Sequence, residues 1–300
     1  MQTAELREAL AGIALREHAP MAAFTTLRLG GPADLLAEPA SPEELRRCLT
    51  AARAAGVPVT VIGRGSNLLV RDGGIRGLVI RTTGMKGLRL SGSRIEAQAG
   101  ATLYEAARLA AHEGLAGLAF AAGIPGTVGG GVLMNAGAYG GELCQVTERV
   151  EGFSLSGEPF AYAGTEMGFG YRTSRLQRED GIVTAVTFAL TPGEPAAIEA
   201  QMAELQRRRV EKQPLNQPSA GSTFKRPEGY FAAALIDQCG LKGFTLGGAA
   251  VSEKHAGFLV NLGGTAADFE ALMAEVSRIV KEKTGVTLEP EVRILGEPAV

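Results

Sequence analysis

The sequence predicts a mixed α and β fold of more than one domain, and three observations lead there. Strand-like apolar runs alternate with helices that carry their own caps, glycine turns close the strands, and the punctuation TPGEP at 191–195 divides the chain. At 300 residues the chain is long enough for two or three domains.

The charged N-terminus MQTAELREALAG lacks the apolar core and cleavage motif of a signal peptide and reads as a short amphipathic helix. Residues 24–32 (FTTLRLGGP) alternate as a strand that ends in a glycine turn, and a second apolar run follows from Ala33 to Ala37. Ser41, Pro42 and Glu44 form a capping box with proline at the first helical position, after which Leu45, Leu49 and Ala52 recur at helical spacing. Val57 to Ile62 returns as a strand. Strand, helix, strand with a glycine loop at the far end is an α/β unit whose ligand lies at the carboxyl edge of its sheet.

Residues 67–74 and 77–81 read as short strands joined by an Asp-Gly-Gly turn, and Leu88 to Leu90 with Arg94 to Ala99 continue the pattern. Thr102 and Glu105 make a second capping box, with Leu103, Ala106, Ala107 and Ala110 on one face of the helix it opens. Residues 146–155 and 181–190 alternate as strands around an irregular FGYRTSR at 169–175. Beyond the TPGEP boundary, 196–209 is a helix ending in three arginines, where positive charge suits the C-terminus. Residues 213–227 are too rich in Pro, Ser and Gly to be regular. Ala232 to Cys239 is a helix stopped by Gly240. Thr265 caps a last helix whose Phe269, Leu272, Met273, Val276, Ile279 and Val280 form a core-facing stripe. Residues 289–295 (EPEVRIL) close the chain as a strand.

The chain is organised around residues 114–141, twenty-eight in a row without a charge and ten of them glycine. The length would cross a bilayer. Pro125 and the run Gly129, Gly130, Gly131 would break any helix in the middle, so a membrane span is rejected in favour of a buried turn system. Bare backbone N–H groups there can converge on an anion, which glycine permits by its freedom and small size. A second glycine piece, VIGRGSN at 61–67, follows a strand in the same way. Neither ends in the Lys-Ser/Thr of a P-loop, and Leu68 stands where a dinucleotide fingerprint needs its third glycine. Two cradles about 60 residues apart would hold one diphosphate from both sides, with Asn67 and Asn135 as added polar groups.

A net charge of −2 argues against a nucleic-acid binder. The three cysteines, Cys48, Cys144 and Cys239, are too far apart for a CxxC pair or a disulfide framework, which points to a reducing cytoplasm. His18, His112 and His255 are equally scattered, so no metal site is expected.

The remaining candidates for chemistry are polar residues in unusual local sequence. Ser222 stands between Gly221 and Thr223 in a loop, where its hydroxyl either satisfies a turn or gives up a proton. Arg172 either clamps a carboxylate or makes a surface ion pair. Glu291 shares a proton if buried and is an edge carboxylate if exposed. Spacing alone does not connect the three.

Six ordered segments, GRGSNLLV, AGIPGTVGGGVLMNAGAYGGEL, FGYRTS, AGSTFKRP, LIDQCGLKG and LEPEVRILGE, resemble the UDP-N-acetylenolpyruvoylglucosamine reductase family from about Phe24 to Gly296. The resemblance implies an α+β architecture: a two-part FAD-binding domain of the PCMH or vanillyl-alcohol-oxidase type at 1–80 and 81–192, and an α+β substrate-binding domain at 193–300. It implies noncovalent FAD, held by Gly63, Arg64, Gly65, Ser66 and Asn67 on one side. On the other side stand Gly123, Ile124, Pro125, Gly126, Val128, Gly129 and Gly130, then Asn135, Ala136, Gly137 and Ala138. The resemblance further implies that NADPH reduces the flavin and leaves, and that the enolpyruvyl nucleotide sugar then enters. By the same resemblance, flavin N5 delivers hydride to C3 while Ser222 protonates C2, with Arg172 and Glu291 at the substrate carboxylate. Tyr139 and Lys212 are implied to contact the diphosphate and sugar. Arg226, also set at the substrate, stands where relatives often have asparagine. No aromatic residue occurs between Thr191 and Leu215, so the chain resembles the family's shorter form, without a tyrosine-bearing loop.

These expectations include a cytoplasmic monomer without membrane segment or nucleic-acid partner. Two other readings compete. An FAD oxidase or dehydrogenase of the same fold would keep the cradles without needing Arg172, Ser222 and Glu291 together. A noncatalytic flavin or nucleotide-sugar module would bind without turnover.

Overall fold

A computed structural model describes residues 2–299. They form two compact units, each assembled from separated segments: 2–17, 35–64 and 77–209 in the first, 18–34, 65–76 and 210–299 in the second.

Two larger sheets are built mainly from the first unit. One has four strands in the order Ala14–Pro20, Pro32–Glu38, Ile75–Arg81, Val59–Ile62. The last two run parallel, Val59 opposite Leu78. Proline at the first turn of the helix Pro42–Ala54 and the Ser41 hydroxyl, which accepts from Glu44 N at 3.2 Å, start that helix as expected. Leu45, Cys48, Leu49 and Ala52 are its buried face. The other sheet has five strands, Pro159–Ala163, Thr147–Phe153, Ile182–Ala189, Arg94–Gln98 and Leu88–Ser91, all antiparallel. The Pro159–Ala163 strand escapes a reading by alternation because it is short and flanked by polar turns. The helix Leu103–His112 has the predicted capping box of Thr102 and Glu105.

The expected domain boundary at 191–195 falls within this unit, which runs on to Arg209. Ile198, on the helix Pro195–Lys212, is buried with Ala111 and Ala119, and this apolar contact holds the helix to the first unit.

In the second unit an antiparallel sheet, Ser219–Ser222, Phe258–Asn261, Ala249–Val251, Thr245–Leu246, carries the helix Ala266–Thr284. Phe269, Leu272, Val276 and Val280 are fully buried in its core. Residues 213–227 are therefore not wholly irregular: Ser219–Ser222 is a strand. Gly221, at φ +78°, and a register shift between Ser219 and Ser222 break the alternation that would have marked it.

One further expectation needs correction. Residues 24–32 are not a strand but a 3-10 turn, Met21–Phe24, followed by an irregular loop. Arg28 and Gly30 have φ of +56° and +130°, and Thr25 Oγ1 donates to Leu29 O at 3.0 Å. Leu27 and Leu29 alternate because both enter the second core from a loop, not because they share a strand face. The short strands expected within 67–74 and 77–81 are present with the turn between them, and they pair in different sheets. Leu68–Val70 runs parallel to Arg293–Leu295, and Ile75–Arg81 joins the first sheet.

Candidate active site

In the first unit the glycine-rich segment contains a helix after all, Val128–Leu133, with Gly129, Gly130 and Gly131 inside it. Thr127 caps it, its hydroxyl accepting from Gly130 N at 3.3 Å. The glycines are required by packing. A β-carbon on Gly129 would stand 2.9 Å from Ala99 Cβ, and one on Gly131 would stand 2.9 Å from Leu143 Cδ1. Close approach thus outweighs the roughly 1 kcal/mol that each glycine costs a helix.

The two glycine pieces meet here, as far as the first unit carries them. Gly63 follows the strand Val59–Ile62, and its absent β-carbon would fall 2.5 Å from Thr127 Oγ1. Beside them runs a groove of about 570 Å³, lined by Arg64, Gly123, Ile124, Pro125 and Gly126 together with Thr102, Tyr104, Gln206 and Arg209. Sequence reasoning missed the last four. Arg209 carries a signal only in hindsight. Arg207 and Arg208 both pair with Glu204 at 2.8 and 2.7 Å, while Arg209 is half-buried in the groove, where burial lowers its pKa. A β-carbon at Gly123 would come within 3.3 Å of Arg209 Cδ. Bare glycine backbone beside two guanidinium groups suits a diphosphate, so the residues present fit FAD.

Asn135 is fully buried, with φ +42°. Its Nδ2 donates to Glu142 Oε2 and Gly170 O at 3.1 and 3.0 Å, and its Oδ1 accepts from Cys144 N at 2.9 Å. Its side chain therefore braces the loop that carries Ala136, Gly137 and Ala138. Tyr139 is exposed at the tip of the hairpin Gly137–Ala138 and Gly141–Glu142; both turn residues, Tyr139 and Gly140, have positive φ. Arg172 is half-buried, with φ +54°, and its Nη2 donates to Gly137 O at 3.2 Å.

In the second unit Ser222 and Glu291 come together around one residue. Ser222 is exposed at the end of its strand, while the buried Thr223 accepts from Glu291 N at 2.8 Å through its carbonyl. Thr223 Oγ1 accepts from Leu259 N at 3.2 Å, tying this pair to the sheet. Asn67 belongs to the same cluster, since its Nδ2 donates to Glu291 O at 3.2 Å and its carbonyl accepts from Arg293 N at 3.0 Å. Gly65, at φ +66°, lies so close to Phe24 that a β-carbon would be 2.2 Å from its carbonyl oxygen. Ser66 is half-buried beside it. Lys212 is exposed at the end of its helix, and the Arg226 guanidinium sits 4.5 Å from the Phe231 ring centroid.

The family model described as UDP-N-acetylenolpyruvoylglucosamine reductase, C-terminal domain, matches residues 213–295, and one described as FAD binding domain matches 33–155. The UDP-N-acetylenolpyruvoylglucosamine reductase of Levilactobacillus brevis is 48% identical over 298 residues, 99% of this chain and 98% of that protein. The chain belongs to this reductase family.

The reductase of Pediococcus pentosaceus is 47% identical, covering 99% of both chains. The crystal structure of the UDP-N-acetylenolpyruvylglucosamine reductase (MurB) from Thermus caldophilus superposes with a TM-score of 0.80 at 38% identity, over 95% of this chain and 99% of that one. A grass pollen allergen with glucose dehydrogenase activity, Phl p 4, shares the fold alone: TM-score 0.50 and 15% identity over 63% of this chain and 44% of that one. The FAD-binding fold of the PCMH type joined to an α+β C-terminal domain is that of the UDP-N-acetylenolpyruvoylglucosamine reductases. Among the described residues no helix is long and apolar enough to cross a membrane.

Proposed function

We propose that the protein is an FAD-dependent, NADPH-consuming oxidoreductase that reduces the enolpyruvyl group of UDP-N-acetylglucosamine enolpyruvate to the lactyl ether, giving UDP-N-acetylmuramate for peptidoglycan synthesis in the cytoplasm. The observation that carries this reading is near full-length identity to reductases of that name, in a chain that retains the serine, arginine and glutamate of its motifs.

Gly63, Arg64, the Gly123–Gly130 backbone and Arg209 hold the cofactor, and the GRGSN motif adds Gly65, Ser66 and Asn67 to the cofactor residues. Bound FAD supplies the hydride that NADPH provides and C3 of the enol ether receives. The electron pair left at C2 spreads into the substrate carboxylate, so a cation and an acid there lower the barrier. Arg172 supplies the cation through its planar fork. Glu291, one hydrogen bond from Thr223, supplies the carboxyl group. Ser222 gives its hydroxyl proton to C2. An alkanol is a weak acid in water but meets here a carbanion, a far stronger base. Tyr139 and Lys212 contact the diphosphate and sugar of the nucleotide sugar, and Arg226 is the further substrate-side residue of its motif.

The test is an anaerobic visible spectrum of the holoenzyme with NADPH and then with the enolpyruvyl nucleotide sugar. The flavin band bleaches with the first and returns with the second. In Ser222→Ala the bleaching rate stays as in the wild type, while the return slows by about 10³-fold or more, the scale set by loss of a positioned proton donor. Return at the normal rate removes Ser222 from the role. A flavin that stays reduced in the wild type favours the oxidase reading, and a protein that takes up no FAD ends this one.

A further inference from the structure

Arg172 occupies a backbone conformation that a side chain other than glycine seldom takes, φ +54°. Something must hold it there. Gly170 and Thr173 exchange backbone hydrogen bonds of 3.1 and 3.3 Å, so Tyr171 and Arg172 form the tip of a tight turn. Besides Arg172 itself, three side chains fasten this turn to the glycine-rich segment. Asn135 Nδ2 donates to Gly170 O at 3.0 Å, the buried Ser174 donates through Oγ to Leu133 O at 2.8 Å, and Gln177 makes the third link.

Gln177 differs from the other two because it grips Arg172 itself. Its Nε2 donates to Arg172 O at 3.1 Å and to Leu133 O at 2.8 Å. Both partners are carbonyls, which the amide NH₂ meets as donor, and the same nitrogen lies 3.6 Å from Met134 Sδ. Leu133 is the last residue of the helix Val128–Leu133, where carbonyls lack intrahelical donors. One side chain thus joins the end of the glycine helix to the peptide of the arginine, while Arg172 Nη2 reaches Gly137 O from the other side.

We infer that Gln177 is a positioning residue for the reduction. It holds Arg172 in its left-handed conformation and fixes the guanidinium relative to the glycine segment. The inference rests on the reading above, in which Arg172 clamps the substrate carboxylate. A misplacement of about 1 Å at such a group costs up to about 100-fold in rate.

The experiment is a double-mutant cycle on the holoenzyme, read by stopped-flow in both half-reactions. Gln177→Met keeps the length of the side chain and removes both donors. FAD content and reduction by NADPH stay within about twofold of wild type, while reoxidation at saturating substrate slows about tenfold or more. In an Arg172→Ala background, the same change costs less than about twofold, because the group it positions is gone. Normal reoxidation in Gln177→Met overturns the inference, as does a full tenfold cost in the Arg172→Ala background. Equal slowing of both half-reactions marks a merely structural role and overturns it too. Wild-type reoxidation in Arg172→Ala overturns the reading of Arg172, and the inference falls with it. Should Gln177→Met fail to retain FAD, Gln177→Glu is tested in its place. It is isosteric, its carboxylate faces two carbonyl oxygens, and the same outcomes decide.

Discussion

Cys48 faces the first core from the helix Pro42–Ala54, and its burial pushes the thiol up from 9.0 to about 12. Below pH 9 the folded and unfolded chains both keep this proton, and its contribution to stability is whole. From pH 9 toward about 12 the unfolded chain releases it first, so stability falls as pH rises. Cys48→Ala should remove that part of the slope: urea unfolding between pH 8 and 10.5 gives a stability curve flatter than wild type, and parallel curves would refute the assignment. Three scattered cysteines with no pairing pattern suggest small buried hydrophobes; Cys48 and Cys239 are buried, whereas Cys144 is exposed. Asn135 and Arg209 were harder to read. As a polar residue among glycines, Asn135 invites a ligand role, yet its buried amide is committed to Glu142, Gly170 and Cys144. Arg209 is one of three adjacent arginines, and only the phase of the helix separates it from the two that pair with Glu204.

At the scale of elements, the last helix shows what local sequence can and cannot convey. Thr265 and Asp268 form a capping box, and Gly285 at φ +76° closes the other end. Hydrogen bonding to Thr265 lowers the Asp268 pKa, so this contribution is present above pH 3.8 and is lost as pH falls through the lowered value. A second cap comes from far away. Asp72 accepts from Ala266 N and Ala267 N at 2.9 and 3.0 Å, across almost two hundred residues. Capping residues contribute about 1 kcal/mol each. Thr265→Ala and Asp72→Ala should therefore each lower stability by about that much in denaturant titration at pH 7. A neutral Asp72→Ala would mean that solvent replaces its two bonds without loss. The first cap lies beside the helix it starts and is legible there. The second is a long-range contact, and Asp72 in the sequence is only part of a turn.

At the scale of the whole molecule, the helices and longer strands follow from periodicity and caps, whereas the interleaving of segments does not. The family model for the C-terminal domain spans 213–295, but the second unit is larger than that. Leu27, Leu29 and Leu69, all buried, come to its core from residues 18–34 and 65–76. The strand Leu68–Val70 is the parallel partner of Arg293–Leu295, and Arg71 binds Glu270 through two hydrogen bonds of 2.9 and 3.0 Å. Removing these segments would take three leucines out of the core, leave the edge of the strand Arg293–Leu295 unpaired and remove Asp72 as well. Each leucine is a loss of about 1.5–3 kcal/mol of burial, so the three together rival the 5–15 kcal/mol that holds a typical domain folded. A fragment of residues 210–300 should accordingly show no cooperative urea transition and should bind a hydrophobic dye, although it contains Ser222 and Glu291. A steep, two-state transition in that fragment would show that its own sheet and helices suffice, and that the earlier segments are added to a finished domain.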